Sequence, residues 1–199
     1  MKKLLLILFI PIYVFSQKNV GDACEDCELI YAGMPKKMSW QASIYDKNEA
    51  GEKLKISGII YKKDGKTPAS GVILYIYHTD VKGYYSPAPN QKIARKHGHL
   101  RAWIKTDASG RYKFYTIRPA AYPNQKFPAH IHPIIKEPNK NEYWIDEYHF
   151  EGDPFLTTSE KANFQNRGGA GIIKISKNEK GIWVGRRDII LGKNVPNYE

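Results

Sequence analysis

From Leu54 onward, apolar and polar residues alternate with the period of two that places successive side chains on opposite faces of a strand. LKISGII (Leu54 to Ile60) alternates cleanly, GVILYIYH (Gly71 to His78) is a more continuous apolar run, and both predict strands. KKDGKTP between them supplies Asp64-Gly65 and Pro68, because glycine tolerates positive φ and proline fixes it. LRAWIKT and RYKFYTI, separated by Asp107-Ala108-Ser109-Gly110, predict a hairpin; GIIKIS and GIWVGRRDIIL, separated by Lys177-Asn178-Glu179-Lys180, predict a second. NEYWIDEYHF is a further β-rich stretch, and the one weak helical candidate is Ser159 to Phe164. The pattern predicts an all-β, two-sheet β-sandwich of about seven to nine strands. Ser86 to Gly98 and Pro154 to Gly169 exceed ordinary connection lengths and are candidate functional loops.

The chain of 199 residues is long enough for one domain with a real core and short for two. Its first residues, MKKLLLILFIPIYVFSQ, set Lys2 and Lys3 before an apolar run that ends at Phe15 and is followed by Ser16, the layout of a secretory signal. A spanning helix needs about 20 apolar residues, so no membrane span is expected after signal removal. The expected division is a signal at 1–17, an entry segment at 18–50 carrying Cys24 and Cys27, and the main domain at 51–199. The expected location is outside the cytoplasm, periplasmic or extracellular.

The full chain carries a formal charge of +11, spread as single lysines among apolar residues, which is the mark of a solvated surface. KIARKHGHLR (Lys92 to Arg101) is the densest basic stretch; export argues against nucleic acid as its partner and leaves anionic small molecules. Cys24 and Cys27 in CEDC have a spacing shared by redox pairs, zinc half-sites and local disulfides. No second CxxC and no βαβ pattern accompanies them. In an oxidising compartment a structural disulfide is favoured over free thiols.

FPAHIH (Phe127 to His132) carries the chemistry. On a strand, His130 and His132 project from one face and Ile131 from the other, which is the geometry two ligands of one metal require. An H-x-H pair is also compatible with a polar surface, and no H-E-x-x-H or further cysteine completes a zinc site. Tyrosines in loop-like contexts offer other donors: Tyr85 in VKGYYSP and Tyr122 in RPAAYPNQ. His97 and His99 repeat the H-x-H spacing around Gly98 and are expected in a loop near the pocket. His78 and His149 lie in aromatic β-stretches and are expected to be hydrogen-bonded structural residues.

From about Leu54 to Asp153 the chain resembles the intradiol ring-cleavage dioxygenases, the family of the protocatechuate and catechol dioxygenases, through GIIYKKDGKTPASGVILYIYHTDVKGYY, TDASGRYKFYTIRPAAYP and FPAHIH. The resemblance implies a prealbumin- or immunoglobulin-like sandwich in which Tyr85, Tyr122, His130 and His132 bind one non-haem Fe(III) per chain. It further implies a reaction in which a catechol-like substrate and O2 give a muconate-type product, with Tyr122 as the tyrosinate that departs and accepts a catechol proton. A non-catalytic sandwich binding module at the cell envelope is the competing reading, and an oligomer is compatible with either. The chain departs from the family where Phe127 occupies the usual arginine position, where Asp146-Glu147 align with a Thr-Gln pair, and where Pro133 follows the second histidine. Arg101 or Lys126 could then supply the missing positive charge, Glu147 a base or a pocket carboxylate, and Tyr84 a pocket wall. Pro133, lacking an amide hydrogen, is expected to end or bulge its strand.

Overall fold

The computed structural model describes residues 19–45, 48–88 and 96–199; the expected signal at 1–17 and the first four residues of the basic stretch from Lys92 lie outside them. Two six-stranded sheets face each other. The first contains β1 (Gln41–Ser43), β5 (Arg111–Ile117), β2 (Lys53–Tyr61), β11 (Trp183–Arg186) and β10 (Ile175–Lys177) in that order, with β12 (Ile189–Ile190) also on β2. The second contains β4 (Arg101–Lys105), β3 (Ile73–His78), β6 (His130–Lys136), β8 (Tyr148–Phe150) and β9 (Ile172–Ile173), with β7 (Tyr143–Trp144) also on β6. A short α-helix, α1 (Thr158–Ala162), is capped by the Thr157 side chain, which accepts from the Glu160 amide. Among the described residues no helix is long and apolar enough to cross a membrane.

Alternation dictates the core. In β2 the buried positions are every second residue, and Leu54, Ile56 and Ile60 face Leu74, Ile76, Ile104, Phe114, Ile131 and Ile135 of the two sheets. β3 lies inside its sheet between β4 and β6, and its outer face is covered by the entry segment. There Tyr75 and Ile134 pack against Cys27 and Ile30 of the entry segment, where Cys24 and Cys27 form a disulfide. The Trp103 indole donates to Ile30 O across the same contact (2.6 Å).

Three expectations are corrected. Among the described residues the strands number twelve because short pairings such as β7, β9 and β12 add to those the alternation marks. The segments around Asp107 to Gly110 do not pair with each other: β4 pairs with β3, and β5 with β2 and β1. The Asp107 carboxylate accepts from the Ser109 and Arg111 amides and Gly110 takes φ +68°, so the turn is real, but it is a corner between sheets. Turn chemistry is the same for both outcomes, and the distant partners β2 and β3 decide. Pro133 neither ends nor bulges β6, whose ladder to β3 runs through Ile76↔Pro133 without a break. Pairing is interrupted on the other edge, where the neighbour changes from β8 at His130 and Ile131 to β7 at Ile134.

Candidate metal centre

Two histidines at the start of β6 and two loop tyrosines converge on one point. His130 Nε2 lies 2.8 Å from His132 Nε2, and Tyr122 Oη lies 3.2 and 3.3 Å from these two atoms. Tyr85 Oη lies 2.6 Å from Tyr122 Oη and 3.0 Å from His132 Nε2. Ile131, between the histidines, is fully buried in the core, as a strand requires.

The two tyrosine loops are shaped by a single carboxylate and a single glycine. Asp80 accepts from the amides of Lys82 and Tyr84 and from the Ser86 hydroxyl, curling the chain so that Tyr85 returns over the sheet. Gly83 adopts φ +82°, and a Cβ there would collide with Ala121 O, so only glycine lets this loop lie against the segment bearing Tyr122. Thr79 Oγ1 donating to Ala120 O (2.7 Å) and the Ala120 amide donating to Asp80 O (3.2 Å) lock the loops together.

Tautomers follow from the partners. His130 Nδ1 lies 2.8 Å from Pro128 O, a pure acceptor, so Nδ1 carries the hydrogen and Nε2 presents a lone pair. His132 Nδ1 faces the Glu147 carboxylate at 3.7 Å, which favours the same arrangement. Two lone pairs therefore point at each other across 2.8 Å, an arrangement that repels unless a cation lies between them. Burial, the leading cause, lowers the pKa of both rings, His132 well below the usual value, so they are neutral, as ligands must be. Burial likewise raises both phenols, which remain protonated until a positive charge replaces the proton. Metal–donor bonds of about 2.0–2.2 Å would set neighbouring donors about 2.8–3.5 Å apart, close to the spacings found. The donor set fits a metal, and its hard phenolic oxygens suit a trivalent one. Among the described residues no group of three or more His, Cys, Asp or Glu is placed to hold an ion; the phenols complete this set.

Aromatic rings wall the cluster. Tyr77, directly opposite His132 in the β3–β6 register, stacks on it at 4.6 Å between centroids, and His97 stacks on the other face of Tyr77 at 3.6 Å. Phe127 lies edge-on to His130 at 5.1 Å and stacked on Tyr122 at 6.3 Å. A cavity of about 380 Å³ opens beside His132, with Tyr77, Glu147, Trp144, Glu25 and Asp26 among its walls.

The other expected site residues separate into two groups. Glu147 is at the site, 3.7 Å from His132 Nδ1 and 3.8 Å from His149 Nε2. Tyr84, 55% exposed, Lys126, exposed on its loop, and Arg101, half-buried with its guanidinium over Trp103, do not line the cavity. His78 is hydrogen-bonded as expected, to Thr79 O and Thr116 Oγ1. His149 is not: both ring nitrogens are buried without a hydrogen-bond partner, and its ring stacks on Phe164 of the long 154–169 segment at 4.7 Å. Sequence reading missed Tyr77; the signal was its place two residues from Tyr75 and one before His78, on a strand destined to lie beside H-x-H.

The Dioxygenase family profile matches residues 31–167. The chain belongs to the intradiol ring-cleavage dioxygenases. It is 27% identical over 164 residues to catechol 1,2-dioxygenase 1 of Acinetobacter lwoffii, covering 68% of this chain and 52% of that protein. It is 29% identical over 113 residues to the protocatechuate 3,4-dioxygenase beta chain of Burkholderia cepacia, covering 53% and 48%. The chain thus spans about half the length of these relatives. Its fold resembles the dioxygenase domain of a dioxygenase–carbohydrate-binding fusion from Streptomyces sp. SirexAA-E, with a TM-score of 0.61, 21% identity, and coverage of 79% of this chain and 90% of that one.

Proposed function

We propose that the protein is an exported non-haem Fe(III) dioxygenase that opens a catechol-type ring between its two hydroxyl-bearing carbons. The observation that carries this reading is the pair of imidazole lone pairs facing each other with two phenols at the same point. Tyr85, Tyr122, His130 and His132 are the ligands. Two phenolates and two neutral imidazoles leave a ferric ion with one net positive charge. Ferric iron there supplies Lewis acidity and a template for both catechol oxygens.

The protein's own part is to orient and to move protons. His130 is held by Pro128 O and His132 by Tyr77 and Glu147, so neither ring turns as the substrate enters. Tyr85, in the turn fixed by Asp80, is the permanent anchor. Tyr122 Oη is the base that takes a catechol proton. Phe127 and Tyr77 exclude water. Catechol plus O2 then balances as a muconate-type dicarboxylic acid that retains both oxygen atoms. The disulfide at Cys24–Cys27 is in keeping with export.

Reconstitution with ferric iron tests the reading. One iron per chain, a visible tyrosinate-to-iron absorption, a shift of that absorption on adding catechol without oxygen, and oxygen uptake when air is admitted are expected. Colourless, iron-free protein after reconstitution refutes it.

A further inference from the structure

Among the described residues the cavity beside His132 has carboxylates in its wall and no lysine or arginine: Glu25, Asp26 and Glu147 line it together with Tyr77 and Trp144. That is unexpected in a chain of formal charge +11. Lys96 pairs with the wall carboxylate of Asp26 at 2.9 Å, which leaves Glu25 and Glu147 as the unpaired charges of the wall. Arg167 lies behind Trp144, 3.6 Å from the ring, donating to Gly21 O and Gln165 Oε1. Arg101 and Lys126, which could have met an anionic substrate, are outside the cavity. Among the described residues Glu147 and Glu25 have no lysine or arginine within ion-pair distance; the neighbours of Glu147 are the imidazoles of His132 and His149.

Accepting the proposed function as the basis, we infer that the cavity selects catechols carrying a cationic side chain, such as an alkylammonium, over neutral ones, and rejects catechols carrying a carboxylate. The diol end is fixed by the four-donor cluster, and His132 belongs to both the cluster and the cavity wall. A substituent on the far side of the ring enters the remaining space, whose volume of about 380 Å³ suits a small aromatic. There it meets the Glu147 carboxylate and Trp144, since both faces of Tyr77 are covered by His132 and His97. An ammonium is attracted by the carboxylate charge and by the quadrupole of the Trp144 face that Arg167 leaves open, whereas a carboxylate is repelled by both.

The test is equilibrium binding to iron-loaded protein with oxygen excluded, read from the absorption shift. Three 4-substituted catechols of matched length are compared, ending in an ammonium, a methyl and a carboxylate. The ammonium compound is expected to bind on the order of tenfold tighter than the methyl compound and the carboxylate on the order of tenfold weaker, with the spread narrowing at high salt. Glu147→Gln, with iron content measured to show that His132 is still placed, is expected to reduce the spread severalfold. Glu25→Gln, remote from the donor cluster, is expected to reduce it less and serves if the first variant does not fold. An anionic catechol binding as tightly as the neutral one, or a spread unchanged in both variants, overturns the inference and leaves the proposed function standing. A protein whose absorption no catechol shifts overturns both.

Discussion

Removing one oxygen atom separates a metal centre from a hydrogen-bonded cluster of side chains. Tyr122→Phe deletes Oη, the atom 2.6 Å from Tyr85 Oη and 3.2 and 3.3 Å from the two imidazoles. In the metal-free protein the loss is small. Tyr85 Oη still has His132 Nε2 as an acceptor at 3.0 Å, so no buried donor is stranded and the expected cost is about 1 kcal/mol of folding stability. With ferric iron the loss is large. An anionic ligand disappears and the two imidazoles keep only Tyr85 as a phenolate partner. Even partners outside the ligand shell are worth about 10–100-fold in metal affinity, so a ligand should be worth at least about 100-fold, equivalent to about 2.7 kcal/mol. The assay is a competition titration of iron against a chelator, beside chemical denaturation of the iron-free protein. The variant should hold iron more weakly, with altered charge-transfer absorption, yet unfold at nearly the wild-type midpoint. Unchanged iron affinity and absorption would refute the assignment of Tyr122, and a large loss of stability without iron would show that the phenol is chiefly structural.

Ile131→Ala should cost about 2–5 kcal/mol, because the fully buried side chain leaves a cavity between the sheets. The thermal midpoint should fall by several degrees, and a change under 0.5 kcal/mol would contradict the burial. His78 is held near pKa 4 by burial, below the unfolded value of about 6.5. The unfolded state therefore binds more protons, and His78 contributes stability above pH 6.5 that is lost as pH falls towards 4. By pH 5 the loss is about 2 kcal/mol, so His78→Gln should flatten the denaturation midpoint between pH 7 and 5; parallel curves would exclude the effect. Phe127→Arg should place a cation beside Tyr122 and His130 and strengthen anaerobic binding of a carboxylated catechol about tenfold. No gain would mean that the guanidinium does not reach the substrate.

The local features of the centre were legible because their causes are local. Alternation at His130, Ile131 and His132 forces two imidazoles onto one face, and VKGYYSP, with Gly83, already read as a loop around Tyr85. Glu147 and Tyr77 were harder to place. Their roles depend on β6 lying between β3 and β8, and pairings of such sequence separation leave no mark in either segment alone. Arg101 and Lys126 show the same limit from the other side: a cation in the right stretch of sequence carries no information about which way its long side chain lies.

The amino-acid order by itself determined the strands, the burial of Ile131, the loop character of Tyr85 and Tyr122 and the donor chemistry, since each rests on backbone period, turn residues or side-chain type. The tertiary structure alone decided that the chain turns a corner between sheets at Asp107 to Gly110, that β6 continues through Pro133, that the His149 ring nitrogens are left without a hydrogen bond and that, among the described residues, carboxylates rather than lysines wall the cavity. Those outcomes are set by which distant strands pair and by what the entry segment covers, and both depend on the summed burial of the whole sandwich.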